Sequence, residues 1–227
     1  LAEKRARRPS AAMPTSRPPP RSHFFSSLVS CISNLLVGHR GAVVRIGAHL
    51  GFFNTNDPLR GALTRVLNRT EAGSGRAPMV LLVEPQPRVF AQLSKLLQQH
   101  SYGAHVAAEQ AAVCATDGNV TLYSIADADP LTGAISPGHS LPVGATQLAS
   151  MSREHILRHQ KYVHNGERLA DYIRELVVPC YSVPTLLARH AIAPHYLKVL
   201  TVDAEGFDLS ILEPIDFHAT TPDLIVW

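Results

Sequence analysis

Three short apolar runs, each ending at small or acidic residues, constrain the fold of this chain more than any other feature. The first run is followed by the glycine loop 47–51, the second by Glu84, and the third by Asp203 and Glu205. Buried parallel strands have such continuous β-branched runs, and their carboxyl ends deliver loops to a ligand. The pattern predicts three strand ends that enclose a nucleotide-type cofactor at one edge of a sheet.

Patterns along the rest of the chain alternate between helix and strand. Helical spacing of apolar residues predicts helices at 23–37, from 57–58 onward, at 89–97, near 152–160 and 166–175, at 184–190 and at 209–212. Apolar runs predict strands at 42–47, 79–84, 104–113, 177–183, 196–202 and 222–227, with a small β excursion after Asp117 and a long loop over 126–147. The alternation predicts the α/β class, with a doubly wound, mainly parallel, Rossmann-like sheet. Because the chain stops at Trp227 inside a predicted strand, we expect the last strands to be missing.

Composition favours one globular domain, which we place at 23–227. The chain has 227 residues, 45% of them apolar and 17% charged, which suffices for a single core. The leader 1–22 is basic and rich in Pro and Ser, which is typical of a disordered tail or part of an organellar transit peptide. Its arginines lack interleaved aromatic residues, so nucleic-acid binding is not expected. No apolar run reaches the ~20 residues of a membrane span, so we expect a soluble protein. The leader leaves its intracellular compartment open.

The three cysteines predict neither a disulfide framework nor a zinc site. Cys31, Cys114 and Cys180 are odd in number, far apart and without paired spacing. We therefore expect reduced, packed thiols.

The glycine loop and Glu84 are candidate cofactor contacts. Glycines let a backbone turn sharply and approach a ligand, but the third glycine of the dinucleotide fingerprint is missing, which disfavours a nicotinamide cofactor. A carboxylate at the end of the second strand is placed to accept both ribose hydroxyls of a nucleoside. The alternative for Glu84 is a residue near a helix N-terminus, stabilised by the helix dipole.

Asp203 and Glu205 predict a site for positive charge. In an extended segment both carboxylates point the same way, which is unfavourable unless a sulfonium, a metal ion or a substrate amine lies there. The alternative is a helix N-terminus that neutralises them.

His155 and His159 lie four residues apart, which matches metal-ligand spacing. A third ligand is not evident, so we predict no metal site and favour a solvated polar face. A histidine here could also accept a proton from a substrate hydroxyl, because histidine titrates near neutral pH.

In this order, the motifs resemble the FkbM family of class I S-adenosylmethionine-dependent methyltransferases. The matching segments are 46–51 with 56–58, 82–87, 90–93, 111–113 before 117–118, 152–155 with 159, 183–187 and 200–208. The resemblance covers the chain from about residue 41 to its last residue.

The resemblance implies transfer of a methyl group from S-adenosylmethionine to a hydroxyl oxygen of a small-molecule or glycan acceptor. The cofactor contacts it implies are Gly47, Ala48, His49, Gly51, Glu84, Pro85, Ala112 and Asp203. We predict Asp203, Glu205 and His155 as the catalytic residues. Many relatives carry an acid or amide where this chain has Arg45, and an arginine pointing inward would repel a sulfonium. A catalytically inactive binding module on the same fold is therefore the alternative.

Overall fold

The computed structural model describes residues 21–36, 41–53, 57, 59–71, 78–100, 105–125, 134–136, 139–140, 148–162 and 168–227. The strands are β1 (Ala42–Ile46), β2 (Met79–Val83), β3 (Val106–Glu109), β4 (Ala112–Val113), β5 (Gly118–Ser124), β6 (Ala134–Ser136), β7 (His139–Ser140), β8 (Ala149–Ser150), β9 (Arg174–Tyr181), β10 (Leu197–Val202) and β11 (Leu224–Val226). The α-helices are α1 (Arg21–Leu36), α2 (Arg60–Glu71), α3 (Pro87–Gln99), α4 (Arg153–Leu157), α5 (Val183–Arg189) and α6 (Asp208–Leu212).

A five-stranded parallel sheet lies at the centre, in the order β11-β10-β1-β2-β3. Ile46 at the end of β1 pairs with Val83 on one side and Val202 on the other. The loops that follow these three strands therefore start side by side at one edge. This arrangement confirms the predicted mainly parallel α/β sheet.

The central strands are largely apolar because both faces of the sheet are covered. On one face, Val43 and Leu82 pack with α1, α2 and α3 through side chains such as Leu63. On the other face, Val44 and Leu200 pack with α5 and α6. Burial of both faces rigidly fixes the strand ends that carry the loops.

A second, mixed sheet in the order β4-β9-β5-β8 faces those loops. Its main contact is the antiparallel pairing of β5 with β9. The strand predicted over 104–113 is in fact two strands in different sheets, because the chain leaves the central sheet after β3 and pairs β4 with β9. The predicted helix over 166–175 is also wrong: a short 3-10 turn at Leu169–Asp171 precedes the long strand β9.

A disulfide joins Cys114 to Cys180 in this second sheet, with 5.8 Å between their Cα atoms. The pairing of β4 with β9 brings the two residues together, since the Cys114 N–H donates to the Tyr181 carbonyl at 3.0 Å. Cys31 is a free, exposed cysteine. The expectation of reduced, packed thiols is therefore wrong, because a contact across 66 residues leaves no spacing signal in the sequence.

Smaller differences concern element bounds. The first helix begins at Arg21 and the second at Arg60, slightly away from the predicted starts. Residues 1–20, and the predicted loop 126–147 apart from the hairpin β6–β7, lie outside the described residues. Within the described part of the chain, every helix is too short or too polar to cross a bilayer.

Candidate functional site

A cavity of about 410 Å³ lies between the carboxyl ends of β1, β2 and β10 and the second sheet. Its size falls within the range of about 300–1,000 Å³ that is usual for small-molecule sites. The lining residues are Arg45, Ile46, Gly47, Ala48, His49, Asp57, Glu84, Pro85, Gln86, Ala111, Ala112, Val113, Leu122, Ala149, Ser150, Met151, Asp203, Ala204 and Glu205.

The glycine loop after β1 forms the wall beside β2. The N–H groups of Gly47 and Ala48 both donate to the Val83 carbonyl, at 3.0 and 2.9 Å. Gly47 has a φ of +72°, and a Cβ at this position would overlap the carbonyl oxygen of Asp203. Glycine is required here because the backbones of two neighbouring strands approach closely in a left-handed conformation.

Glu84 stands in the wall at the end of β2, with only 3% of its surface exposed. Its Oε2 accepts the His49 N–H at 2.7 Å, and its Oε1 accepts the Gln86 N–H at 2.9 Å. Burial raises the pKa of Glu84 to about 7, although these two hydrogen bonds oppose the shift. Each carboxylate oxygen can accept a further hydrogen bond, so Glu84 both fastens the glycine loop and offers acceptors to a ligand.

His49 contributes a neutral ring to the same wall. Its φ of +49° is unusual for a residue with a side chain. Burial, and then the charge of Arg45, lowers the pKa of His49 to about 4. At neutral pH the ring therefore offers one N–H donor and one acceptor.

Arg45 enters the cavity from β1 as half of an ion pair. Its Nη1 contacts Oδ2 of Asp57, and the two side chains are 11% and 1% exposed. Oδ1 of Asp57 also accepts the Leu59 N–H at 2.7 Å, which fixes the carboxylate just before α2. Arg45 therefore does line the cavity, as the inward arginine considered from the sequence would, but its charge is paired with that of Asp57.

The turn after β10 carries Asp203 and Glu205 into the cavity. The extended geometry predicted for them is wrong, because β10 ends before Asp203 and Glu205 has a φ of +48°. Both residues nevertheless line the cavity. Burial, and then the nearby charge of Glu205, raises the pKa of Asp203, while Arg45 opposes the rise. A cationic ligand would relieve the unfavourable burial and repulsion of these carboxylates.

Glu205 connects this turn to the second sheet and α4. Its Oε2 lies 3.0 Å from Nε2 of His155, and the two side chains are 30% and 25% exposed. Its carbonyl accepts a hydrogen bond from Ser150 Oγ at 2.9 Å. The His155 ring packs on Gly206, where a Cβ would lie 2.9 Å from Nδ1. His155 therefore contacts both the Glu205 carboxylate and the backbone of the turn that carries it.

The same region could hold a metal ion. His155, His159 and Glu205 each offer a ligand atom, and these atoms lie within 4.8 Å of one another. Nδ1 of His159 lies 3.1 Å from the His155 carbonyl, the kind of contact that fixes the ring of a metal-binding histidine. Sequence reasoning missed the third ligand because Glu205 lies 50 residues beyond His155. The expectation of no metal stays a prediction.

Most predicted site residues meet at this cavity. Its described lining includes the predicted residues Gly47, Ala48, His49, Glu84, Pro85, Ala112, Asp203 and Glu205. Gly51 is instead buried, and a Cβ there would lie 2.9 Å from Leu82. The described lining also lacks His155. Sequence reasoning did not identify Asp57 and Ser150 as lining residues. The signal for Asp57 was its position at the start of a predicted helix that follows the glycine loop.

A known protein family matches most of the chain. The family described as the methyltransferase FkbM domain matches residues 46–227. No curated protein and no solved structure matches the chain significantly.

Proposed function

Because the chain belongs to the FkbM methyltransferase family, we propose that it binds S-adenosylmethionine in this cavity and methylates a hydroxyl oxygen of a small-molecule or glycan acceptor. The observation that carries the proposal is the buried Glu84 carboxylate in the cavity wall beside the glycine loop. A vicinal diol such as that of ribose matches two carboxylate oxygens, and hydrogen bonds to a charged group contribute about 1.5–3 kcal/mol each.

The remaining walls support an adenosine-bearing ligand. Ala112 and Leu122 present small and apolar surface from the second sheet, which suits the flat face of an adenine. Asp203 and Glu205 bring negative charge to the opposite side, which suits a sulfonium. We propose that Gly47, Ala48, His49 and Pro85 complete the contacts with the cofactor.

Bound S-adenosylmethionine supplies a methyl carbon whose bond to sulfur breaks, with the electron pair left on sulfur, as the acceptor oxygen bonds to that carbon. The protein has little covalent work, so its main role is to position the oxygen in line with the methyl group. We assign Glu205 to accept the hydroxyl proton on Oε2. His155 holds that carboxylate at 3.0 Å and acts as a positioning residue. Asp203 adds negative charge beside the sulfonium.

Cofactor binding is tested by calorimetry with S-adenosylhomocysteine. The wild-type protein is expected to bind it, and Glu84→Ala to weaken binding by about 10²- to 10⁴-fold, because the ribose loses two hydrogen bonds to the carboxylate. Glu175→Gln, a change of an exposed glutamate on β9, is the matched control and should change nothing. Absence of binding to the wild type at millimolar ligand would contradict the proposal.

Methyl transfer is tested with labelled S-adenosylmethionine and panels of phenols, sugar hydroxyls and amines. Glu205→Gln should lower turnover about 10²- to 10⁴-fold and leave affinity for S-adenosylhomocysteine within about twofold. His155→Gln should lower turnover less than Glu205→Gln does, at unchanged cofactor affinity, which a purely structural role would not do. Transfer to amines alone would exclude O-methylation, and full turnover in Glu205→Gln would exclude the assigned proton acceptor.

A further inference from the structure

The second sheet carries an asparagine that matches a modification signal. Asn119, Val120 and Thr121 follow one another in β5. Asparagine followed two residues later by threonine, with any residue except proline between them, is the acceptor signal for N-linked glycans. Such triplets also arise by chance, so the exposure of the strand and the chemistry of the compartment decide whether the signal is used.

Asn119 and Thr121 lie on the exposed face of β5. Both residues are exposed, whereas Leu122 is buried among the apolar residues on the other face of the sheet. Side chains two residues apart on a strand share a face, so the amide and the hydroxyl are presented to solvent together. The described lining of the cavity includes Leu122 but neither of the two exposed residues. A sugar chain on Asn119 would therefore extend into solvent and leave the cavity open.

The neighbouring strand β9 offers apolar surface to the sugars. Pro179 is paired with Asn119, and Val177, which is 75% exposed, is paired with Thr121. Residues paired across two antiparallel strands stand on the same face, and both are close enough for sugars on Asn119 to contact them. Such contacts would remove apolar surface from water. This face of the sheet therefore suits an attached glycan.

The disulfide in the same sheet indicates the compartment. Cys114 is joined to Cys180, which is paired with Gly118, the residue before Asn119. Disulfides persist in oxidising compartments such as the lumen of the endoplasmic reticulum and are rare in the cytosol, where thiols are kept reduced. N-linked glycans are attached in that same lumen. The bond and the acceptor signal thus point independently to one compartment.

We propose that Asn119 is an N-glycosylation site and that the chain matures in the lumen of the endoplasmic reticulum. The side-chain nitrogen of Asn119 bonds to the anomeric carbon of an oligosaccharide carried on a lipid pyrophosphate. The bond from that carbon to the pyrophosphate oxygen breaks, and the lipid pyrophosphate leaves with the electron pair and takes up the proton that the amide loses. The modification goes beyond the proposed function and does not depend on it.

A second triplet of the same kind lies in a different conformation. Asn68, Arg69 and Thr70 lie within the helix α2, whereas the triplet in β5 is already extended. Only in an extended segment do residues two apart share a face. The proposal therefore concerns Asn119 and does not extend to Asn68.

The test is made on the full-length protein isolated from its natural source. Peptide N-glycosidase removes an N-linked glycan and converts the asparagine that carried it to aspartate. Digestion in isotopically labelled water therefore marks the occupied residue for peptide mass spectrometry. The label is expected at Asn119. Natural protein in which Asn119 is found only unmodified would overturn the proposal, whether or not Asn68 carries a glycan.

Matched variants test whether Thr121 completes the signal. The full-length protein is expressed through the secretory pathway of a eukaryotic cell, and circular dichroism checks that each variant is folded. Thr121→Val removes the exposed hydroxyl with little change of shape and should abolish the glycan at Asn119. Thr121→Ser keeps a hydroxyl and should retain it. Equal occupancy of Asn119 in both variants would overturn the proposal.

The compartment is tested on the same natural protein. Mass spectrometry without reduction should find the peptides of Cys114 and Cys180 joined. Free thiols at both positions would overturn the assignment to an oxidising lumen. Wild-type protein that fails to bind S-adenosylhomocysteine would instead overturn the proposed function and leave the glycosylation site standing.

Discussion

The two sides of the cavity differ in how their residues are held. On the side of the central sheet, parallel strands buried on both faces end in loops fixed by backbone hydrogen bonds, as where Gly47 and Ala48 meet Val83. On the opposite side, the strands of the second sheet have one exposed face, and α4 beside them contacts the turn after β10 through the partly exposed pair His155 and Glu205. The central sheet therefore provides a fixed frame, whereas the second sheet, which is paired through β5 and β9 and cross-linked by one disulfide, meets that frame through side-chain contacts.

The largest effect is expected at the closest backbone approach, on the side of the central sheet. Gly47→Ala places a Cβ against the Asp203 carbonyl at a φ of +72°. We expect a loss of at least about 4 kcal/mol in the free energy of unfolding, measured with urea. Gly118→Ala is the control, since no atom lies within 4 Å of its added Cβ. A Gly47→Ala protein as stable as this control would show that the frame is not rigid.

The next largest loss of stability is expected on removal of the Cys114–Cys180 disulfide in the second sheet. Cys114→Ser with Cys180→Ser opens a loop closed across 66 residues, which in the chain-entropy model lowers the free energy of unfolding by about 4 kcal/mol. Hydrogen exchange should accelerate in β5 and β9 more than in β1 and β2. Cys31→Ser, which removes the exposed thiol, should change neither measurement. Equal acceleration of hydrogen exchange in both sheets would show that the second sheet is not held separately from the central sheet.

A smaller effect concerns Glu84 and pH. Burial raises its pKa from the usual 4.5 to about 7, so between these values the folded protein retains a proton that the unfolded chain has lost. The free energy of unfolding should therefore fall as pH rises from about 4.5 to 7, by on the order of 3 kcal/mol, and then level off. Urea titrations of the wild type and Glu84→Gln at pH 5 and 8 measure this contribution.

Glu84→Gln should lose that part of the pH dependence because its amide does not titrate. The exposed Glu175→Gln should retain the wild-type slope. Identical slopes in wild type and Glu84→Gln would mean that water reaches the carboxylate and that this wall of the cavity is open to solvent.

The sequence predicted the central sheet well because burial of both faces leaves a direct pattern. Strand β2 is an unbroken apolar run and β1 and β10 are largely apolar, and Glu84 and Asp203 follow the ends of β2 and β10. The second sheet alternates between buried and exposed residues, and its strand β4 has only two residues, so its pattern is weak.

The candidate site, like the fold, was predicted from the sequence only where it is built by the central sheet. Residues at the ends of central strands were identified, because parallel strands bring their carboxyl ends to one edge. Contacts between distant segments were not, since no local pattern encodes them: His155 meets Glu205 across 50 residues, and Arg45 meets Asp57 across a turn.

The Val83 carbonyl, which accepts hydrogen bonds from both Gly47 and Ala48, affects the entropy cost of ligand binding. Because two amides of the glycine loop converge on one carbonyl, the loop could reshape itself only by breaking both bonds. Preorganised recognition of this kind spares the ligand the entropy cost of ordering a loop. It also means that these amides are already occupied, and discrimination among ligands falls to side chains.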